Sequence, residues 1–214
     1  MSAKFRSEDE EDLVRLKKML RKVLGDDEAT VRRRLEKQNE ARILDIACGE
    51  CREAEVLTDF IAELRGNNEG EVHLTGMDVR AREIEDAQRR FGGKQDLENR
   101  PGTKQCDFLT GDASKLDQHS ELGENFDLVF MRHQNYWNGA KTWEQIYDQA
   151  LGKLDDEGRL IITSYFDKEH ELALEAIKRL GGELISTEFN QETRELITEG
   201  KSVDRHVAVF KRKK

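Results

Sequence analysis

A run of small residues follows a short apolar stretch near residue 45, and an acid stands just before it. The segment reads Ile43-Leu-Asp-Ile-Ala-Cys-Gly-Glu-Cys51, with Asp45 inside the apolar stretch and Ala47, Cys48 and Gly49 after it. Small residues let the backbone of a turn approach a ligand closely. The segment therefore predicts a binding loop between a strand and a helix.

Two later apolar runs also end in an acid. Asp78 closes the run Leu74-Thr-Gly-Met-Asp-Val79, and a carboxylate at such a strand end can accept hydrogen bonds from both hydroxyls of a ribose. Asp112 and Ala113 follow the next run in the same way. Simpler roles stay open, because Asp78 could be the N-cap of a following helix and Asp112 could be an ordinary turn residue beside glycine.

The stretch with the most reactive side chains is Met131-Arg-His-Gln-Asn-Tyr-Trp137, directly after a β-rich apolar run. Arg132 and His133 are the candidate catalytic residues, since an imidazole has an acidity suited to accepting a proton near neutral pH. The alternative is that His133 only bonds a backbone carbonyl. Likewise, Tyr136 and Trp137 could simply pack against the N-terminal helices.

These segments belong to an alternation of strands and helices that begins at residue 42. The predicted strands are Arg42–Ile46, Glu71–Asp78, Gln105–Thr110, Phe126–Met131 and Arg159–Ser164, and the predicted helices are Glu53–Arg65, Ala81–Phe91, Ser114–Leu122, Lys141–Leu154 and Lys168–Leu180. Short β-rich runs separated by helices are typical of parallel strands covered on both faces. The stretch Gly92–Gly102 is predicted to be a long loop.

The chain after the last predicted helix has no room for another crossover helix between its extended runs. Glu183–Phe189 and His206–Lys211 therefore predict an antiparallel hairpin, with a small extra strand considered at Arg194–Ile197. The predicted fold is an α/β, doubly wound, seven-stranded and mostly parallel sheet that ends in this hairpin. It occupies residues 42–214.

Residues 1–41 predict an N-terminal helical extension, or lid. A first helix starts at Ser7, which with Glu10 forms a capping box, and extends to Gly25. A second helix is predicted from Asp27 to Asn39, with Arg32-Arg-Arg34 mostly facing solvent.

Composition narrows the range of functions. The 214 residues are 36% hydrophobic and 38% charged, and the net charge is −9. A negative charge disfavours nucleic acid as a partner, because phosphate contacts supply most non-specific affinity. No apolar stretch approaches the roughly 20 residues that span a bilayer, and the charged N-terminus lacks a signal core.

Cys48, Cys51 and Cys106 make an odd count, so the sequence predicts no disulfide framework and a cytoplasmic location. No metal site is predicted, because Cys48 and Cys51 lack the second ligand pair of a structural zinc site. A redox dithiol is disfavoured, since it would leave Asp78 and Asp112 unexplained.

The strand ends, taken in order, resemble those of the class I (Rossmann-like) S-adenosylmethionine-dependent methyltransferases. Asp45 and Gly49 match the acid and the central glycine of that family's glycine-rich motif, whereas Ala47 and Cys51 stand where it has its first and third glycines. The resemblance extends from about residue 42 to the end of the chain. A nicotinamide-binding domain is a poorer match, because the loop has a single glycine.

The resemblance implies S-adenosylmethionine as the cofactor and assigns roles to individual residues. Gly49 would lie beneath the methionine and adenosine, Asp78 would bind the ribose, and Asp112 and Ala113 would bind the adenine. The cofactor-binding residues implied are Asp45, Ala47, Cys48, Gly49, Asp78, Val79, Asp112, Ala113 and Met131. Arg132 and His133 are placed at the methyl acceptor.

We therefore predict a methyltransferase that acts on a small-molecule acceptor. The Asn/Asp-Pro-Pro-aromatic signature of many enzymes that methylate bases or glutamine is missing after residue 131, which makes nucleic acid a less favoured acceptor. Two alternatives stay open: a non-catalytic sensor or scaffold with the same fold, suggested by Cys51, and an RNA or protein methyltransferase. The sequence predicts no particular oligomeric state.

Overall fold

One sheet of eight strands runs through the computed structural model, which describes residues 7–66, 69–98 and 100–213. The strands are β1 (Glu40–Ile46), β2 (Glu71–Asp78), β3 (Gly93–Asp96), β4 (Thr103–Thr110), β5 (Phe126–Arg132), β6 (Leu154–Ser164), β7 (Gly182–Phe189) and β8 (His206–Arg212). Their order is β3-β4-β2-β1-β5-β6-β8-β7. The five adjacent strands β4, β2, β1, β5 and β6 are parallel to one another. The strands β7 and β8 form the antiparallel C-terminal hairpin. The predicted fold class is confirmed.

Helices cover both faces of the sheet. They are α1 (Glu8–Leu24), α2 (Glu28–Leu35), α3 (Ala54–Arg65), α4 (Ala81–Phe91), α5 (Ala140–Lys153) and α6 (Asp167–Arg179). The first four pack with one apolar cluster, and α5 and α6 pack with a second. Neighbouring strand residues alternate between the clusters, so Ile43 joins the first and Leu44 the second. This two-residue period gives the central strands their continuous apolar sequence.

The N-terminal extension is packed into the first cluster. Leu16 and Leu20 of α1 are fully buried there together with Leu35 of α2 and Ile43 of β1. The capping box between Ser7 and Glu10 begins α1 as predicted. The extension therefore shares one core with the strands that follow it.

The sheet has one strand more than the seven predicted. Gly93–Asp96 pairs antiparallel with Thr103–Cys106 at the edge of the sheet, inside the stretch predicted to be a loop. Lys94, Gln95 and Asp96 are exposed, so this edge strand lacks the apolar alternation by which strands are recognised in sequences. The prediction of seven strands and of a loop at Gly92–Gly102 was wrong for this reason.

Three local predictions are also corrected. The second helix is shorter than predicted, because a 3₁₀ turn at Gly25–Asp27 precedes α2 and the helix ends at Leu35. The predicted helix at Ser114–Leu122 consists of two 3₁₀ turns, Ala113–Gln118 and Ser120–Leu122. The extra strand considered at Arg194–Ile197 is a single bridge between Glu195 and Ser202.

Arg34 was predicted to face solvent with its neighbours, but it is half-buried. Its guanidinium bonds Asp127 and lies 3.1 Å from Asp155. The reason is a long-range one, because Asp127 stands on β5, 93 residues away. Arg33 is exposed as predicted.

Some predicted features extend beyond the described residues: the first six residues of the extension, residues 67 and 68, residue 99 of the predicted loop, and Lys214 at the basic end of the chain. Within the described part, no helix combines the length and the apolar character needed to cross a membrane.

Candidate functional site

The loop after β1 takes a left-handed backbone at alternate residues. Ala47 has φ +58°, Gly49 has φ +56° and Cys51 has φ +45°. Left-handed backbone costs L-residues about 1–2 kcal/mol each, which is why glycine is favoured at such positions. The chain thus keeps a glycine-type loop geometry although two of its three positions carry side chains.

Cys51 is fully buried and tightens this loop. Its amide donates to the carbonyl of Cys48 at 2.8 Å, and its Sγ donates to Oδ2 of Asp45 at 3.1 Å. Burial raises the pKa of Cys51 well above its usual range, so the group at this position is a neutral thiol. The thiol therefore acts as a hydrogen-bond donor to the acid at the end of β1.

Asp45 keeps one oxygen unused. The side chain is fully buried, and among the described residues Oδ1 has no hydrogen-bond partner. Burial and, next, the charge of Glu53 raise the pKa of Asp45 well above its usual range. A cationic donor bound beside Oδ1 would offset both effects, because a nearby positive charge favours the carboxylate.

Asp78 holds the loop after β1 against the end of β2. Its Oδ2 accepts from the amide of Gly49 at 2.9 Å, and its Oδ1 accepts from the amide of Arg80 at 2.9 Å. The guanidinium of Arg80 also donates to both oxygens, at 2.9 Å and 3.1 Å. Although burial acts to raise it, the pKa of Asp78 is lowered by these donors, so the group is a carboxylate. Asp78 is not the N-cap of α4, because Arg80 occupies that position.

A first cavity of about 350 Å³ lies between the ends of β2 and β4 and the start of α5. Asp78, Val79, Asp112 and Ala113 line it together with Ala47, and apolar groups of α5 form the opposite wall. Val79 is 64% exposed and lines this cavity, so its apolar side chain is accessible to a planar ligand bound there. Asp112 also caps the 3₁₀ turn after it, by accepting from the amide of Ser114.

The side chains at the end of β5 and in the segment after it lie in different surroundings. Met131 is fully buried in the second apolar cluster and lines neither the first cavity nor the second and third cavities described below. Tyr136 donates to Glu144 at 2.8 Å, and Trp137 packs edge-on against Phe166. These two aromatic residues thus contact α5 and the end of β6, and not the N-terminal helices.

Arg132 and His133 converge on Asp204, which precedes β8. Nε and Nη2 of Arg132 donate to the two oxygens of Asp204 at 3.0 Å and 2.6 Å, and Nε2 of His133 lies 2.8 Å from Oδ1. Burial acts to raise the pKa of Asp204, but Arg132 and His133 lower it far below its usual range. Burial acts to lower the pKa of Arg132, but Asp204 and Glu53 raise it well above its usual range. Both groups are therefore charged.

Two further cavities meet at these residues. The second, of about 410 Å³, is lined by the loop after β1, by Glu53 and by Arg80. The third, of about 240 Å³, is lined by the first turns of α1 and by the segment 194–203. Arg52, Arg132, His133 and Tyr165 line both. Since Ala47 lines both the first and the second cavity, the three form one series along the carboxyl ends of the parallel strands.

Several residues at the site are not among those predicted from the sequence, among them Arg52, Glu53, Arg80, Tyr165 and Asp204. Tyr165 follows β6 directly, where the position at a strand end could have indicated it, and its ring stacks on His133 with centroids 3.8 Å apart. Asp204 stands in a polar segment without periodicity, so no sequence pattern marks it.

The residues present fit S-adenosylmethionine. Oδ1 of Asp45 has no partner among the described residues and suits the ammonium of an amino acid, although Asp45 is fully buried and lines none of the three cavities. Asp78 lines the first cavity, and its carboxylate can accept from a ribose once the guanidinium of Arg80 moves away. Gly49 faces the second cavity, and a Cβ built there would lie 2.7 Å from Oε2 of Glu83 and 3.0 Å from Nη2 of Arg80. A larger residue at this position would fill the space between the loop and α4.

A cysteine nucleophile or a metal site has less support in this region. The three cysteines are free and buried, and burial raises the pKa of Cys106 to about 11, so it is a poor nucleophile. The described residues contain no cluster of three or more histidine, cysteine, aspartate or glutamate side chains that could hold a metal ion.

Residues 37–207 match the family model of a methyltransferase domain. The fold resembles that of a TehB-like SAM-dependent methyltransferase from Corynebacterium glutamicum, with 21% identity over 87% of each chain and a TM-score of 0.57. It also resembles a SAM-dependent methyltransferase from Methanosarcina mazei, with 16% identity over 83% of this chain and 95% of that one and a TM-score of 0.58. The N-methyltransferase NodS from Bradyrhizobium japonicum is 15% identical over 88% of this chain and 96% of that one, with a TM-score of 0.54.

These structural likenesses show a shared fold, and a comparison with curated protein sequences gives no match. The family match spans most of the chain and includes every cofactor-site residue predicted above. The chain therefore belongs to the methyltransferase-domain family and is an S-adenosylmethionine-dependent methyltransferase of class I fold.

Proposed function

We propose that the chain transfers the methyl group of S-adenosylmethionine to a small-molecule acceptor bound in the third cavity. The observation that carries this proposal is the shared wall of Arg52, Arg132, His133 and Tyr165 between the second and third cavities. A ligand in the second cavity and a ligand in the third cavity can therefore contact each other only beside these four residues. We assign the first and second cavities to the cofactor and the third to the acceptor.

The size of the third cavity supports a small acceptor. Its volume of about 240 Å³ is below the roughly 300–1,000 Å³ of typical small-molecule sites, and the first turns of α1 line it with Asp9, Asp12 and Leu13. Among solved structures of similar fold, NodS is an N-methyltransferase and KedS8 from Streptoalloteichus is a sugar N-methyltransferase, at 15% and 14% identity. The name of KedS8 is consistent with a small acceptor in this fold.

The proposed cofactor contacts are those predicted from the sequence, apart from Met131, which is buried beneath the site. We infer that Asp45 receives the ammonium of the methionine, that Asp78 receives the ribose and that Asp112 and Ala113 bind the adenine. When bound, S-adenosylmethionine supplies a methyl group on a positively charged sulfur. The residues of the chain then have to align the acceptor with that group and exclude water.

The first experiment is calorimetric titration with S-adenosylhomocysteine, followed by transfer of isotope-labelled methyl groups to small molecules, RNA and proteins. Asp78→Asn should weaken binding at least 10-fold, because a charge-assisted hydrogen bond contributes about 1.5–3 kcal/mol. Asp107→Asn is the matched control, since Asp107 bonds His73 at 2.7 Å outside the three cavities.

Each outcome decides between the functions considered. No binding by the folded protein would overturn the proposal, and binding without transfer to any acceptor would favour a sensor or scaffold. Labelled RNA or protein would favour a macromolecular acceptor. We also propose a cytoplasmic location, because three free and buried cysteines suit a reducing compartment.

A further inference from the structure

Two residues of the site, His133 and Asp204, have strained backbones and are in direct contact. His133 has φ +59° at the end of β5 and Asp204 has φ +47° before β8, and neither is glycine. Nε2 of His133 lies 2.8 Å from Oδ1 of Asp204 and 3.0 Å from its amide nitrogen. Strain of this kind costs about 1–3 kcal/mol per residue and persists where the surrounding contacts fix the conformation, most often at functional sites.

Two residues besides His133 hold the carboxylate of Asp204, Arg132 and Thr163. Its side chain is 1% exposed, Arg132 donates to both oxygens, and Oγ1 of Thr163 donates to Oδ1 at 2.8 Å. The carboxylate therefore keeps its charge without His133. The same contacts hold its position, so Oδ1 offers His133 a fixed acceptor.

This arrangement determines where the imidazole carries its proton. An unprotonated Nε2 would direct its lone pair at a charged oxygen 2.8 Å away, which is unfavourable in a buried site. The amide of Asp204 donates to the same nitrogen at 3.0 Å and so favours a lone pair there, but an amide carries only a partial charge, which the full charge of the carboxylate outweighs. Nε2 is therefore the protonated nitrogen, and Nδ1 keeps its lone pair. No described residue bonds Nδ1, and His133 lines both the second and the third cavity.

We propose that Asp204 is the positioning residue that makes Nδ1 of His133 the base of the methyl transfer. The acceptor is then a small molecule whose reacting oxygen or nitrogen carries a proton. This inference rests on the proposed function and names the chemical class of its acceptor.

The chemistry of such an acceptor requires a base. Methylation of an O–H or N–H group forms a bond from that atom to the methyl carbon, while the carbon–sulfur bond breaks and its electron pair goes to sulfur. One proton is released from the acceptor, and Nδ1 of His133 takes it up. The positive charge that results on the imidazole is met by the carboxylate of Asp204. A thiolate acceptor would release no proton and would need no such pair.

Several charged or titratable groups surround His133. They are Arg132 on β5, Glu53 before α3, Arg52 in the loop after β1, Tyr165 after β6, Asp9 and Asp12 on α1, Arg194 in the segment before β8, and Lys201, whose Nζ lies 4.2 Å from the ring centre of Tyr165. Among them, Arg132 is bonded to Asp204, and Arg194 and Arg52 are paired with acids of α1. Asp204 is thus the acid in hydrogen-bond contact with the imidazole.

The test is the ¹⁵N spectrum of the histidine side chains at neutral pH, in the free protein and with S-adenosylhomocysteine bound. The signals of His133 are those that disappear in His133→Gln. We expect a protonated Nε2 and an unprotonated Nδ1 in the wild type. Asp204→Asn should lose this preference, because a neutral amide no longer favours a proton on Nε2 as the carboxylate does.

Asp167→Asn is the matched control. Asp167 also pairs an arginine and a histidine, Arg205 and His206, but it lies on the surface outside the three cavities. It should leave the His133 spectrum unchanged. A protonated Nδ1 in the wild type would overturn the proposal even if Asp204→Asn failed to fold. Binding of S-adenosylhomocysteine, measured on the same samples, tests the proposed function separately.

A second arm tests the acceptor class with a phenol, an aliphatic alcohol, a primary amine and a thiol, each offered with labelled S-adenosylmethionine. We expect labelling of an O–H or N–H compound, and a loss of about 10²- to 10⁴-fold in His133→Gln, the usual contribution of a general base. Labelling of the thiol alone, undiminished in His133→Gln, would contradict the proposal. If no compound is labelled, the ¹⁵N spectrum still decides the role of Asp204.

Discussion

At the scale of single residues, the loop after β1 combines an unfavourable backbone with side chains that contribute contacts. Cys51 accepts a left-handed conformation, but its thiol is buried and bonds Asp45. Burial of the side chain and the hydrogen bond offset a strain of about 1–2 kcal/mol. The departure from glycine at this position is thus compatible with a formed loop.

Ala47 tests this loop, because it lines both the first and the second cavity. Ala47→Val should lower affinity for S-adenosylhomocysteine at least 10-fold and lower the melting temperature, since a β-branched residue is strongly disfavoured at φ +58°. Ala47→Gly should retain binding, with a change in unfolding free energy below about 1 kcal/mol, as relief of strain and a more flexible unfolded chain oppose each other. Equal affinity of the valine variant and the wild type, measured by calorimetry, would contradict this account.

We expect Asp45 to lower the stability of the fold at neutral pH although it contributes to cofactor binding. Its pKa is raised by burial and by Glu53, so between its usual value and the raised one the folded state holds a proton that the unfolded chain releases. This group therefore destabilises the fold as pH rises through that window. Asp45→Asn removes the effect and should melt higher than the wild type at pH 7, by roughly 2–4 °C for each kcal/mol gained.

The gain in melting temperature of Asp45→Asn should shrink as pH is lowered through 4, because below its usual pKa of 3.8 the wild-type carboxyl becomes protonated in the unfolded state as well. The variant should also bind S-adenosylhomocysteine more weakly, since an amide replaces the partner of its ammonium. Scanning calorimetry across pH measures the first effect, and Asp107→Asn serves as the surface control. A variant that is less stable at pH 7 and binds normally would show that Asp45 is ionised in the free protein.

At the scale of elements, α1 has two roles. Its apolar face is buried with α3 and the sheet, while its first turns close the third cavity and pair Asp12 with Arg194. A helix with this much buried surface is not held by its ion pairs alone, because exposed pairs contribute about 0–1 kcal/mol each. We infer that α1 is a fixed wall of the acceptor cavity.

Leu20→Ala tests the packing of α1. Leu20 is fully buried, so its truncation should lower the unfolding free energy by about 2–5 kcal/mol in a single cooperative transition. Val14→Ala on the same helix is the control, because Val14 is 39% exposed and should change the unfolding free energy by less than about 1 kcal/mol. Urea denaturation measures both. A separate early transition in Leu20→Ala would instead indicate that α1 detaches as a lid.

At the scale of the whole molecule, many charged side chains form ion pairs, and acidic residues outnumber basic ones. The net charge is −9, and four of the cations in the two basic stretches of the sequence have acidic partners: Arg32 bonds Glu28, Arg34 bonds Asp127, Lys211 bonds Glu183 and Arg212 bonds Asp156. A phosphate backbone would have to break these pairs before gaining contacts. The molecule as a whole therefore disfavours RNA as the acceptor.

We expect no shift of transfer RNA in an electrophoretic mobility assay at 150 mM salt with micromolar protein. Any weak binding at low salt should be lost as salt is added and should not depend on Asp78. The exposed Arg33 provides the discriminating variant, since Arg33→Ala should leave the assay unchanged. Binding that persists at 150 mM salt and weakens in Arg33→Ala would favour the RNA alternative.

The sequence by itself determined the parts of this protein that depend on local order. The alternation of apolar runs and helices, with an acid at three successive strand ends, indicated a doubly wound sheet and the position of the cofactor loop. This information is local because strand periodicity, helix caps and tight turns involve residues only a few positions apart. The order of these segments also carried the family resemblance.

Only the tertiary structure decided which distant residues meet. Asp204 reaches His133 across 71 positions, and Arg34 reaches Asp127 across 93, in segments with no periodic pattern. The edge strand β3 was missed because its polar residues need only one neighbouring strand and no apolar face. Met131 was assigned to the cofactor by its place at a strand end, but the pleat directs its side chain into the core and that of Arg132 towards the cavities. His133 lines the cavities because it lies beyond β5 and has φ +59°. Side-chain direction and long-range pairing are properties of the assembled sheet, and they set the acceptor side of the site.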